Sequence, residues 1–260
     1  MVTRFVATHT RSGLEMVENE CELTKAEQDG FAQFCDRLTE MQVSSSHYDI
    51  KHNYQLNSQT IRQPQPNNQL QRVLTSYCET VLDVPHYDEV YNESLPESLA
   101  EEFGSEIATV LLTGDHLTAS LRKQILTKSQ QARDNRADFL DALSQEAESL
   151  RSMNNAITKI GTNLDTLNAR SLETRPGTDL TKSHEQILAA EEQCEKLAAT
   201  RQDTLQKSKM PGPTPSDFNL TEYLYESLPV TYPVLTDLAD LSNTLYIERS
   251  RIEYAIGSNV

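Results

Sequence analysis

Apolar residues recur at alternating intervals of three and four along much of this chain, the period of amphipathic helices that pack on one another. A first stripe predicts a helix over about Thr10–Gln42, with two weaker polar positions in its middle. The clearest stripe lies in a longer helical stretch, about Thr118–Leu172, and its apolar members are Phe139, Leu143, Leu150, Met153, Ile157, Ile160, Leu164 and Leu167. Glu146 interrupts that series, so the pattern predicts one long helix with a charged residue in its packing seam.

An Arg-Pro-Gly turn signal at 175–177 separates this long helix from a second one, predicted over about 178–209. Two long helices joined by a short turn form an antiparallel hairpin, here spanning 118–209. Counting outward from the turn sets Arg201 within about one helical turn of Glu146, and both occupy seam positions. A lone charge is costly in a packed seam, so we expect these two side chains to form an ion pair.

The rest of the chain divides at a segment without apolar periodicity. Residues 44–69 are rich in Ser, Asn and Gln, which predicts a flexible polar linker. It follows an N-terminal amphipathic helix within 1–43 and precedes a helical bundle over 70–260, which ends in a helix over 231–257. Shorter helices are predicted between these parts, at about 68–82, 94–103, 105–113 and 220–227. The predicted fold class is all-α, an elongated coiled-coil-like bundle.

The hairpin leaves part of the long helix uncovered. Because the helix over 178–209 is shorter, it reaches only the half of the long helix nearest the turn. The other half, about 118–142, needs either the first and last helices or a second copy of the chain. The pattern is compatible both with a closed monomeric bundle and with a dimer.

Charge narrows the range of partners. The chain carries 39 acidic and 23 basic residues, a formal net charge of -16. Nucleic acids and anionic membranes attract clustered Lys and Arg, so neither is expected as a partner. The surplus of acid is typical of a protein in a salt-rich cytoplasm, and it is also common in ordinary acidic cytosolic proteins.

The chain shows neither an export signal nor an apolar run long enough to span a membrane, which favours a cytoplasmic location. Its four cysteines, Cys21, Cys35, Cys78 and Cys194, form no CxxC pair, so they predict small buried hydrophobic side chains and no zinc or redox motif.

One polar and aromatic cluster falls outside the predicted long helices, at residues 86–89. A histidine and a carboxylate two residues apart can share a cation, but a catalytic metal needs three protein ligands and no second motif supplies the third. A second aromatic segment, at 223–233, either meets the first to form a recognition patch or closes the end of the bundle. The candidate binding residues are His86, Tyr87, Asp88, Glu89, Tyr91, Tyr225 and Tyr232. No catalytic motif or phosphate-binding loop occurs, so no catalytic residue, metal or cofactor is expected.

Two segments carry a resemblance to a known family. YCETVLDVPHYDEVYNESLPESLAEEFG, residues 77–104, and YLYESLPVTYPVLTDLADL, residues 223–241, are similar to the two ends of an uncharacterised haloarchaeal family, a domain of unknown function. The order of elements is also similar. The resemblance implies a halophilic archaeal cytoplasm, and it implies no activity, so no functional residue is assigned from it.

The sequence therefore predicts a non-enzymatic helical interaction or scaffold protein, acting on a protein partner or on a second copy of itself through its helix faces. The alternative is a regulatory or sensor protein that binds a small ligand or a metal near the His86 and Asp88 loop. A hydrolase that uses the same polar groups is a third interpretation.

Overall fold

The structure is a computed structural model, and it describes residues 5–43, 68–169, 172, 175–207 and 219–258. All regular secondary structure in these ranges is helical, which confirms the predicted all-α class. The helices of the described ranges are α1 (Thr8–Glu40), α2 (Asn68–Cys78), α3 (Tyr87–Val90), α4 (Leu95–Phe103), α5 (Ser105–Thr113), α6 (Ala119–Asn168), α7 (Gly177–Lys207), α8 (Leu220–Tyr225) and α9 (Pro233–Ser258).

Local signals in the sequence explain where the short helices begin and end. Ser94 and Glu97 form a capping box at the start of α4, in which the Ser94 backbone N–H donates to the Glu97 carboxylate at 2.8 Å. Gly104 separates α4 from α5 with φ +88°, a conformation that residues with a Cβ rarely adopt. The predicted boundary between these two helices therefore lies where the backbone requires glycine.

The described residues within 21–142, which are 21–43 and 68–142, form one compact unit. Its core joins the second part of α1 with α2, α4, α5 and the first part of α6. The rings of Phe34, Tyr77 and Phe103 meet in it, with Tyr77 5.3 Å from Phe34 and 5.5 Å from Phe103. Leu121 and Ile125 of α6 are buried in the same core. This unit therefore covers the 118–142 half of the long helix with residues of the same chain.

The described residues within 1–20 and 143–260 form the other compact unit. Within it, α6 and α7 run antiparallel, since Arg201 bonds to Glu146 while Arg175, near the turn, donates to the Leu167 carbonyl. Helix α9 packs along α7. The buried carboxylate of Asp237 on α9 accepts the Thr10 backbone N–H at 2.7 Å, and so holds the first turn of α1.

Several boundaries differ from those that the pattern indicated. Helix α2 ends at Cys78, and α6 runs from Ala119 to Asn168, because helix ends depend on capping and packing more than on apolar period. Most of the linker predicted at 44–69 lies outside the described residues, while its last two residues begin α2. The two compact units divide the chain inside α1 and α6, whereas the pattern divided it at the linker.

Candidate functional site

The loop that carries the predicted cluster at residues 86–89 contains the short helix α3. His86 precedes this single helical turn and Tyr91 follows it, with the Tyr91 backbone N–H bonded to the Tyr87 carbonyl at 2.9 Å. The turn lets both side chains reach one carboxylate, that of Glu27 on α1. His86 Nε2 lies 3.0 Å from Glu27 Oε1, and the Tyr91 hydroxyl donates to the same oxygen at 2.8 Å. Because an ionised carboxylate only accepts hydrogen bonds, His86 Nε2 carries a proton.

The second oxygen of Glu27 binds an arginine of α6. Arg136 Nε donates to Glu27 Oε2 at 2.8 Å, and Arg136 Nη2 donates to Glu102 of α4 at 2.8 Å. The guanidinium also lies over the Phe31 ring, 4.5 Å from its centroid. We call Glu27, His86, Tyr91, Glu102 and Arg136 the Glu27 cluster. It ties α1, α4, α6 and the α3 loop together within residues 21–142.

The electrostatics of the Glu27 cluster keep its central carboxylate ionised. The Glu27 side chain is 12% exposed and that of Arg136 is 20% exposed. Burial by itself raises the pKa of a carboxyl group, but the hydrogen bond from His86 and the charge and hydrogen bond of Arg136 lower the pKa of Glu27 below its ordinary value. A carboxylate in this state suits charge pairing, and it is a poor proton donor near neutral pH.

The neighbouring predicted residues take other positions. Tyr87 is buried, its ring centroid lies 5.3 Å from that of Tyr91, and its hydroxyl donates to Glu93 at 3.4 Å. Asp88 and Glu89 are exposed on the outer side of the loop. Within the described residues, no group of three or more His, Cys, Asp or Glu side chains is arranged so that it could hold a metal ion. The metal version of the sensor hypothesis thus has no ligand set in that part of the chain.

A small cavity adjoins the Glu27 cluster. Its volume is about 60 Å³, enough for a few water molecules or a group the size of an ammonium ion. Four carboxylates and one guanidinium line it, together with aromatic and small side chains. The complete lining consists of Glu27, Phe31, Val81, Tyr87, Tyr91, Glu93, Ser98, Glu101, Glu102 and Arg136. The surplus of carboxylates favours a cationic occupant over an anionic one.

The two predicted tyrosines of the second segment belong to the unit of residues 1–20 and 143–260. Tyr225 is buried, and its hydroxyl donates to Glu146. Tyr232 is 45% exposed at the residue before α9. The structure therefore places Tyr225 with the charged residues of the α6–α7 seam, whereas His86 and Tyr91 gather on Glu27.

Glu146 and Arg201 lie together at the centre of that seam. Arg201 donates through Nη2 to Glu146 Oε1 at 2.5 Å and through Nη1 to Oε2 at 2.9 Å, a bidentate pair. Arg201 Nη1 also donates to Ser149 at 3.0 Å. We call Glu146, Ser149, Arg201 and Tyr225 the Glu146 cluster. Burial, followed by the Glu146 charge and hydrogen bond, raises the pKa of Tyr225, so this hydroxyl keeps its proton.

Three members of the Glu27 cluster were missed from sequence: Glu27, Glu102 and Arg136. A signal existed for two of them. The seam of the long helix, continued backward from Phe139 in steps of three and four, reaches Arg136. The apolar positions Phe31, Phe34 and Leu38 of α1, continued backward in the same way, reach Glu27. Glu102 stands among other acidic residues of α4, and no pattern distinguishes it.

Comparison with known proteins supplies a family and no activity. Among the described helices, none combines the length and the hydropathy that crossing a bilayer requires. Searches of curated proteins and of solved structures returned no match. A family profile described as Domain of unknown function (DUF7260) matches residues 8–249, which span α1 to α8 and most of α9. The expectation of a domain of unknown function is confirmed, and the chain belongs to the DUF7260 family.

Proposed function

We propose that this protein is a non-enzymatic interaction or scaffold protein whose working surfaces are the outer faces of its helices. The observation that carries the proposal is the set of large apolar side chains exposed on those faces. These are Val110 and Leu112 on α5, Leu188 on α7, and Tyr246, Ile247 and Tyr254 on α9. Burial of such side chains is favourable, so a group of them on one surface marks a place where another molecule packs.

The state of the polar candidates supports the same proposal. In both clusters the charged groups bind one another: Arg136 holds Glu27 and Glu102, and Arg201 holds Glu146. Glu27 is kept ionised and Tyr225 is kept protonated, which suits neither for proton transfer near neutral pH. These residues are better suited to fixing helices in place than to catalysis.

Charge supports a protein partner in a salt-rich cytoplasm. A net charge of -16 disfavours nucleic acid, which attracts clustered basic residues. At about 1 M salt the Debye length is about 3 Å, so the acidic surface no longer repels other acidic proteins. The resemblance of residues 77–104 and 223–241 to haloarchaeal sequences points to the same conditions.

A thermal-shift screen tests this function against a sensor. The full chain is melted in concentrated KCl with divalent metals, nucleotides, amino acids and polyamines, each in large excess. A ligand present at 100 times its dissociation constant raises the melting temperature of a protein of this size by roughly 5–10 °C. We expect no compound to do so. A reproducible shift of that size with any of them contradicts the scaffold function.

The cavity beside the Glu27 cluster favours a second candidate, a sensor of small cations. Its acidic and aromatic lining matches a primary amine, whose charge the carboxylates pair and whose carbon atoms the rings cover. When small alkylamines are added to the same screen, this candidate predicts that they raise the melting temperature. Glu93→Gln and Glu101→Gln, both in the cavity lining, should each reduce that shift, while Glu185→Gln on an exposed face of α7 should leave it unchanged.

A further inference from the structure

One side of α9 presents aromatic and aliphatic side chains to solvent. Tyr254 is 80% exposed, Tyr246 57% and Ile247 49%. At about 100° per residue, these positions and Ser250 fall on the face opposite the buried residues Leu238, Leu241 and Leu245. Together with Leu188 of α7, they are called the α9 patch.

Leu188 adjoins this face because of how α7 and α9 are linked. His184 Nε2 lies 3.0 Å from Glu253, and Arg249 donates to Glu191 at 2.8 Å. Leu188 lies between these two linked positions on α7, and it is 42% exposed. The Arg249 guanidinium also lies 5.3 Å from the centroid of the Tyr246 ring, which connects the links to the tyrosines. The apolar surface therefore continues from α9 onto α7.

Most of the charges around the patch are paired. Arg251 pairs with Glu248 at 2.7 Å, and Arg249 pairs with Glu191 at 2.8 Å. Glu253 lies beside His184 and Arg249, and Glu192, next to Leu188 on α7, pairs with Lys196. Glu185 is a further exposed carboxylate next to Leu188. In a chain with a net charge of -16, most surfaces repel a second copy. This patch, whose charges are mostly paired, is a surface on which two copies can approach with less of that repulsion, whereas a basic partner would be drawn to the acidic faces.

The arrangement of the patch is also self-complementary. Tyr246 and Tyr254 lie four residues on either side of Ser250. If two α9 helices cross antiparallel at Ser250, Tyr246 of one copy faces Tyr254 of the other, and the reverse pair forms by symmetry. A small residue at the crossing lets the two backbones approach closely. A symmetric dimer needs such pairing, in which the same patch serves both copies.

The exposed area is in the range that a dimer needs. With about 200 Å² for a fully exposed tyrosine and somewhat less for an aliphatic side chain, the four apolar residues expose roughly 400 Å². A specific interface removes about 800 Å² from each partner, of which somewhat more than half is nonpolar. The polar rim of paired charges supplies the rest.

We propose that the α9 patch is a homodimer interface, with a second copy of this chain as its occupant and Ser250 at the two-fold crossing. This inference rests on the proposed function, since it assigns one of the working helix faces to self-association.

Sedimentation equilibrium of the full chain tests the proposal at low and high KCl. We expect a mass of twice 29.3 kDa, with tighter association at high salt because salt screens the acidic surfaces. A monomer at both salts and at concentrations up to about 0.5 mM overturns the dimer. It leaves the scaffold function standing, because that function is contradicted only by a ligand response in the thermal-shift screen.

Charge-swap variants locate the interface. Ser250→Glu and Ser250→Lys should each be monomeric, because like charges then meet at the two-fold. Their equimolar mixture should form a heterodimer. Ser152→Glu, which adds the same charge to an exposed position of α6, should dimerise like the wild type. A wild-type dimer that Ser250→Glu leaves intact, in protein with unchanged circular dichroism, places the contact elsewhere and overturns the proposal, as does a mixture that stays monomeric.

Discussion

Two charged residues ten positions apart occupy the packing seam of α6, and their surroundings differ. Glu146 meets one arginine in a bidentate pair, with Arg201 2% and Glu146 8% exposed. Arg136 is 20% exposed, and it is shared between two carboxylates beside a small cavity. The Glu146 cluster is charge-balanced and closed to solvent. The Glu27 cluster has a surplus of carboxylate and is open to solvent.

The difference teaches how a helical seam accommodates charge. A deeply buried charge needs one partner that satisfies it fully, since water offers no substitute. A partly exposed charge can be shared between two partners, as Arg136 is between Glu27 and Glu102. His86 and Tyr91 supply further hydrogen bonds to Glu27. The first arrangement holds two helices in register. The second also connects a loop, and it leaves room for a ligand.

Removing Arg201 should have the largest effect on stability. Arg201→Leu leaves the Glu146 carboxylate buried beside a single hydroxyl donor, which costs about 3–5 kcal/mol of unfolding free energy. We expect a clear fall in the melting temperature by differential scanning calorimetry. The double variant Glu146→Leu with Arg201→Leu should recover most of the loss, because apolar side chains pack in the same place. A rise in melting temperature for Arg201→Leu alone contradicts the stabilising role of the pair.

Removing Arg136 should cost less. Arg136→Leu leaves Glu27 with its His86 and Tyr91 partners and with access to water. We therefore expect urea unfolding to show a loss of about 1–3 kcal/mol of unfolding free energy. Arg136→Lys should recover only part of that free energy, since one ammonium cannot bond to both carboxylates as the planar guanidinium does. Arg151→Leu removes a pair that is about half exposed, and should cost below about 1 kcal/mol. An Arg136→Leu loss equal to that of Arg201→Leu removes the distinction between the two clusters.

The Glu146 cluster should also be sensitive to alkali. The folded protein raises the pKa of Tyr225, so its stabilising effect is complete below the unfolded value near 10 and is lost as pH rises above it. The loss is about 1.4 kcal/mol for each pH unit between the unfolded and folded values. Urea midpoints between about pH 9 and 11 should fall more for the wild type than for Tyr225→Phe. Tyr232→Phe, at an exposed position outside the α9 patch, should behave like the wild type in this range.

The Glu27 cluster should respond to acid, with the smallest effect of the four. The folded protein lowers the pKa of Glu27, so the stabilisation is complete above the ordinary value of 4.5 and is lost as pH falls through the folded value. Urea midpoints from neutral pH down to about 3 should fall more for the wild type than for Glu27→Gln, which does not titrate. Equal slopes for the two proteins contradict the lowered pKa.

The two clusters differ in how far sequence reasoning reaches them. Glu146 interrupts an otherwise apolar series, and counting from the turn at 175–177 leads directly to Arg201. Both positions lie on one hairpin, so local spacing is sufficient. The other members of the Glu27 cluster come from three other elements, and Glu102 and His86 lie 75 and 59 residues away from Glu27 in the sequence. Their meeting depends on how α4 and the α3 loop pack on α1, which no local period contains.

The sequence by itself determined the helical class, the order of the helices other than α3, the capped start of α4 and the hairpin of α6 and α7. These features follow from short-range rules, because apolar period, glycine and capping residues act within a few turns of the chain. Only the tertiary structure decided that Glu27 of α1 bonds to Arg136 of α6, that Tyr225 joins the seam, and that α9 keeps an apolar face in solvent. The reason is that a helix has several faces of similar polarity, and long-range packing selects which of them is buried.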